Sequence, residues 1–155
     1  MSKEDEKYMA LASHYATFSR MRTRHGSVIV LHGSVIAWGY NREHTCIHDR
    51  LGNPISCHAE MSALRDAIQK LKLKLYHVKD RTVFSKMRIY VARRSAEDTY
   101  AESKPCLHCY HQLKDLGVKR IMYSGINCFC IMDTRNPQSC VPSSGYKIIM
   151  RTLEA

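Results

Sequence analysis

The chain contains no apolar run approaching the ~20 residues that a membrane-spanning helix needs. Its first residues, MSKEDEKYMA, are charged where a secretory leader would be apolar. Internal repeats, low-complexity tracts and internal linkers are also missing. These absences argue against a membrane partner and point to a single domain over residues 1–155, expected in the cytoplasm with the nucleus not excluded. Acidic residues are scarce as well: 14 Asp and Glu stand against 24 Lys and Arg, a net charge of +10 at pH 7. A basic surface of this kind attracts polyanions and phosphorylated small molecules, although it also serves simply as a solubility device.

Cysteine, by contrast, is plentiful. Seven cysteines are present, an odd number with no secretory segment before them, and 155 residues with 45% hydrophobic content can build a core without disulfide staples. Metal binding or catalysis is the expected use.

Along the chain, Tyr8, Leu11, Ala12, Tyr15 and Phe18 form an amphipathic stripe that predicts a helix over residues 3 to 19. SVIVLHGSVIAWG then presents two β-branched runs around His32-Gly33, a hairpin pattern. A polar loop ending in Gly52-Asn53-Pro54 leads to a second helix with Ala59, Ala63, Leu64, Ala67, Ile68 and Leu71 on one face. Lys72 to Lys86 has no clean period. MRIYVA, from Met87, reads as a third and central strand, Pro105 as the opening of a third helix closed by Gly117, and VKRIMYS as a fourth strand. Residues 125 to 144 read as irregular, with YKIIM as a short fifth strand. The order α-β-β-α-β-α-β-(β) predicts a three-layer α-β-α domain around a mixed sheet of about five strands.

Two segments carry chemistry. In KPCLHC, Cys106 and Cys109 lie three residues apart at a helix start, so both sulfurs can reach one ion. In SCHAEMSAL, His58 and Glu60 stand at the mouth of another helix. Two thiolates and one imidazole leave a tetrahedral zinc with a free fourth position, and both ligand sets sit at positive helix ends. Glu60 would stand beside that position as a proton carrier without occupying it. A Cys-x-x-Cys alone also fits a redox pair or a structural clip, and His108 or His111 could complete a purely structural zinc.

His58-Ala59-Glu60 together with Pro105-Cys106-Leu107-His108-Cys109 resembles the H-x-E…P-C-x-x-C signature of zinc-dependent nucleobase deaminases. HGSVIVLHGSVIAWGYN, residues 25 to 41, is further similar to the CMP/dCMP-type branch. The resemblance implies a cytidine deaminase-like fold across residues 3 to 124, with Zn2+ on His58, Cys106 and Cys109 and proton transfer by Glu60. The reaction it implies is hydrolytic replacement of the amino group at C4 of cytosine or C6 of adenine. It places Asn41 at the sugar, the N–H of Ala59 and the carbonyl of Lys104 at the base edge, and it implies a homo-oligomer. Between Glu60 and Pro105 the chain is longer than in most relatives; the excess falls in the basic stretch 70 to 86, where a loop would reshape the substrate entrance. The last 30 or so residues do not match the helical ending of the family.

The substrate remains open at this level. A free nucleotide, dCMP or CMP, ranks first; cytosine or adenine within RNA or single-stranded DNA ranks second; a zinc-stabilised nucleic-acid-binding module without catalysis is a third reading. Arg20, Arg22 and Arg24, between helix 1 and the first strand, are expected at a phosphate or in a solvated turn, with Arg22 and Arg24 as candidate substrate contacts. Lys70, Lys72, Lys74, Lys79, Arg81, Lys86 and Arg88 form a second basic region. His44, Cys46, His48 and Cys57 read either as a second zinc site or as loop residues. Asn41 also suits an ordinary turn. Trp38 and Tyr40 read equally as pocket lining and as core, and Cys128 and Cys130 as small buried hydrophobes.

Overall fold

A computed structural model of the chain describes residues 2–43, 58–74, 77–126 and 128–136. Ser2 and Asp5 form a reciprocal capping box, with the Asp5 amide donating to Ser2 Oγ at 3.1 Å, and Glu4, Asp5 and Glu6 complement the positive helix end. Helix α1 (Lys3–Ala16) therefore starts at once, and it buries Tyr8, Met9, Ala12 and Ala16. It stops before Phe18, which lies outside the helical stripe and is 45% exposed.

The chain then forms β1 (Arg24–Leu31) and β2 (Ser34–Tyr40), joined at His32 and Gly33 with φ of 52° and 76°. Two left-handed residues make the turn whose twist matches that of paired strands. Helices α2 (Ala59–Leu71) and α3 (Val78–Lys86) precede β3 (Arg88–Arg94) and β4 (Tyr100–Ala101); α4 (Leu107–Leu116), β5 (Arg120–Gly125) and β6 (Cys128–Asp133) follow. The strands form a six-stranded sheet in the order β2-β1-β3-β5-β6, with β4 paired to β3. Among the described strands only β3 and β5 run parallel, so the sheet is mixed and β3 is central, as expected.

Alternation along β1 and β3 divides the core in two. Val28, Val30, Tyr90 and Ala92 meet α1, whereas Ile29, Leu31, Ile89 and Val91 meet α2, α3 and α4 on the opposite face. This is the three-layer arrangement. The helices approach closely at two glycines: a Cβ on Gly26 would lie 2.0 Å from the Ala12 carbonyl oxygen, and one on Gly39 would lie 2.5 Å from the Ala63 nitrogen.

Three elements differ from expectation. The aperiodic stretch before Met87 contains α3, whose pattern is hidden because Phe84 is its only buried residue. That helix docks against the C-terminal end of α4, where Arg81 Nη1 donates to the Asp115 carbonyl at 2.6 Å. Since the metal-binding motif opens α4, the part of the basic stretch that forms α3 lies at the far end of that helix. The two-residue β4 is too short to carry a periodic signal. Strand β6 occupies part of the segment read as irregular, and at the edge of the sheet among the described residues it buries only Met132 deeply. Cys128 is consequently exposed and Cys130 half-buried, 3.8 Å apart at sulfur, rather than core residues. YKIIM and the His44, Cys46, His48 and Cys57 group lie outside the described residues. Among the described residues no helix is long and apolar enough to cross a membrane.

Candidate active site

Helices α2 and α4 each begin with a metal-ligating side chain. Cys106 is the N-cap of α4, its sulfur accepting from the Cys109 amide at 3.4 Å, so Pro105 precedes the cap instead of occupying the first turn. Gly117, at φ 103°, closes the helix. His58 is the N-cap of α2 but makes no side-chain capping bond. Its ring instead faces the thiols, with Nδ1 3.2 Å from Cys109 Sγ and 3.5 Å from Cys106 Sγ. The three ligand atoms all lie within 4.8 Å of one another, and among the described residues no other His, Cys, Asp or Glu group does so. His108 and His111 are therefore outside the set.

The segment before Cys106 is held by two serines absent from the sequence reading. Buried Ser103 donates from Oγ to the Val91 carbonyl at 2.9 Å, and its amide donates to the Ser124 carbonyl at 2.7 Å. Ser124 returns an amide bond to Ser103 Oγ at 2.8 Å. This clamp ties the approach to α4 onto the ends of β3 and β5.

The electrostatics suit a soft dication. A hydrogen bond from Cys109 brings the Cys106 thiol down to about 4 against the effect of burial, with help from His58. The same hydrogen bond, with burial, pushes Cys109 well up. A dication between the sulfurs would favour both as thiolates, and two sulfurs with one imidazole are a zinc donor set. Burial raises Glu60, which is 4% exposed, above the usual carboxylate range against the opposing charge of His58.

The profile of the cytidine and deoxycytidylate deaminase zinc-binding region matches residues 2–125. The chain belongs to this family. It is thus a deaminase of the cytidine deaminase type, and His58, Cys106 and Cys109 are positioned to bind a metal ion. No curated protein sequence matches it. Among solved structures it resembles the apo dCMP deaminase of the cyanophage S-TIM5, with 21% identity, a TM-score of 0.55, and coverage of 97% of this chain and 94% of that one. A cytidine deaminase from Burkholderia pseudomallei shares the fold at 14% identity and a TM-score of 0.59, covering 86% and 94%. A tRNA:A34 deaminase acting at the wobble position does so at 22% identity and 0.53, covering 79% and 78%.

Asn41 is buried, with Oδ1 accepting from the His25 amide at 2.8 Å and Nδ2 donating to the Thr23 carbonyl at 2.6 Å. The amide expected at the sugar is thus already engaged in holding the start of β1. Arg24, the first residue of β1, donates to the Ser95 carbonyl at 2.7 Å and pairs with Asp98 at 3.2 Å. Strand alternation turns it toward α1, away from the ligand face; Arg22 is exposed in the preceding segment. Ala59 is the fully buried first residue of α2, so its N–H lies outside the intrahelical ladder. Lys104 is half-buried between Ser103 and the Pro-Cys pair.

Two residues were passed over. His25 and Arg93 are direct partners across β1 and β3, and both alternate onto the face that carries the zinc ligands. Burial, then the charges of Arg93 and His58, bring His25 down to about 4. Buried Arg93 Nε and Ser27 Oγ, on the same face, have no hydrogen-bond partner among the described residues. The signal was the period-2 series His25, Ser27, Ile29, Leu31, in which polar residues continue an inward-facing line.

Proposed function

We propose that this deaminase converts cytosine to uracil in a free nucleotide, dCMP or CMP. The observation that carries the proposal is a buried carboxyl, Glu60, beside three converging ligand atoms at the starts of two helices. When bound there, zinc supplies a Lewis acid that makes water nucleophilic near neutral pH. Glu60 takes the proton from the attacking water and delivers it to the base. The C4 amino group then leaves as ammonia, and C4 gains the oxygen. A carboxyl raised by burial is suited to both halves of this transfer.

In this reading the Ala59 N–H, outside the helical ladder at the start of α2, and the carbonyl of Lys104, next to the serine clamp, read the base edge. Arg93 adds a positive charge and an unsatisfied donor on the same face, which suits a phosphorylated substrate better than a nucleoside. Likeness to the S-TIM5 dCMP deaminase supports the nucleotide reading. The test is ammonia release from dCMP and CMP by the zinc-loaded protein, with deoxycytidine and Glu60→Gln as comparisons. We expect release from a nucleotide that falls by about 10²–10⁴ in the variant, with zinc still bound. Stoichiometric zinc without release from either nucleotide would overturn the substrate assignment. Undiminished turnover by Glu60→Gln would remove Glu60 from the mechanism.

A further inference from the structure

Along the outer edge of the sheet, α1, the segment after it and β2 assemble a row of rings. Tyr15 stacks on Trp38 with centroids 4.3 Å apart and planes 7° off parallel. Trp38 continues to Tyr40 at 6.2 Å and 22°. Phe18 sets its ring nearly perpendicular to both, at 5.7 and 6.0 Å. Phe18 is 45% exposed and Trp38 37%, so the row is open to solvent on a strand with no further neighbour among the described residues.

A guanidinium group caps it at Tyr40. Arg42 lies 4.9 Å over the Tyr40 ring, and its Nη2 donates to Ser62 Oγ at 2.9 Å. Ser62 is two residues past Glu60 in α2, so the row leads toward the helix that carries the catalytic carboxyl. Arg20 and Arg22 are exposed beside Phe18 in sequence.

We propose that this surface binds single-stranded nucleic acid, with bases against Phe18 and Trp38 and phosphates on Arg20, Arg22 and Arg42. Exposed aromatic groups in a row flanked by cations accept bases of any sequence, whereas paired bases in a duplex have no free faces. The net charge of +10 exceeds what one mononucleotide requires. A second copy of the chain is the less suitable occupant: a twofold contact through this patch would set its arginines against their own counterparts. The proposal concerns binding and holds whether or not a free nucleotide is also a substrate.

Trp38 is the single tryptophan of the chain and reports directly on the surface. The experiment titrates the zinc-loaded protein with oligo-dT and oligo-U, neither of which carries a cytosine or adenine to deaminate. Binding is thereby read separately from catalysis. Saturable quenching of Trp38 by one or both strands is expected, with duplex DNA and dTMP ineffective at equal phosphate; the tighter strand identifies DNA or RNA as the ligand. Phe18→Ala should weaken binding about 5- to 100-fold, the range for loss of one stacking ring. Arg22→Gln should reduce the slope of log K against log salt by about 0.7. Absence of quenching, equal quenching by duplex or dTMP, or a signal that follows protein concentration instead of oligonucleotide would overturn the proposal.

Discussion

Glu60 and His25 show how one location imposes opposite demands on acids and bases. Burial raises the carboxyl of Glu60 and lowers the imidazole of His25, in each case toward the neutral form. For His25 the consequence is measurable. Its folded value of about 4 lies below the ordinary 6.5. Between those values the unfolded chain binds a proton that the folded chain refuses, so stability falls as pH drops through this window and is unaffected above it. The loss should approach roughly 3 kcal/mol by pH 4. Denaturant unfolding across that range should show the slope in the native protein and a flatter profile in His25→Leu; parallel profiles would remove His25 as its cause. Cys106→Ser should lose zinc and lower the thermal midpoint, because ligand loss and folding are linked. Stoichiometric zinc by elemental analysis would contradict the ligand assignment.

At the scale of elements, the site depends on how two helix starts are placed. Gly39 lets α2 seat on β2, and a Cβ there meets Ala63 backbone at 2.5 Å and the Ser62 side chain at 2.7 Å. Gly39→Ala should therefore destabilise by about 1–3 kcal/mol, as overpacking does, and weaken zinc binding through displacement of His58. Gly33→Ala offers a control: its strain is in the left-handed turn at φ 76°, with open space around it, and zinc affinity should be unchanged. Equal zinc affinity in both variants would show that the seating of α2 does not position His58. On α4, Ser103→Ala removes a hydroxyl that donates to Val91 and accepts from Ser124, leaving buried groups unpaired at a cost of about 1–3 kcal/mol. Denaturant unfolding measures that loss directly.

For the molecule as a whole, the placement of charge matters more than its sum. Arg81 anchors α3 to the last turn of α4, and the ten-residue α4 spans about 15 Å. Lys79 and Lys86 lie on α3, docked at the end of α4 away from the zinc ligands, and at physiological salt exposed charges more than about 8 Å apart are largely screened. The double variant Lys79→Gln, Lys86→Gln should leave kcat/KM for dCMP within about twofold at 0.15 M ionic strength; a larger loss would return the basic insertion to the substrate path.

Chemistry that depends on residue type and short spacing was legible in the chain itself. His-x-Glu and Cys-x-x-Cys at helix starts specified a zinc donor set, and alternating and helical periods specified the layers and the central position of β3. These features are local, and a few residues contain all the information they require. Other roles needed the tertiary structure. Arg24 meets Asp98, 74 residues away, and Asn41 meets the backbone before and within β1. The serine clamp, the distal seat of α3 and the pairing of His25 with Arg93 likewise depend on which strands become neighbours. Strand order is set by burial summed over the whole sheet, a quantity no short stretch of sequence carries.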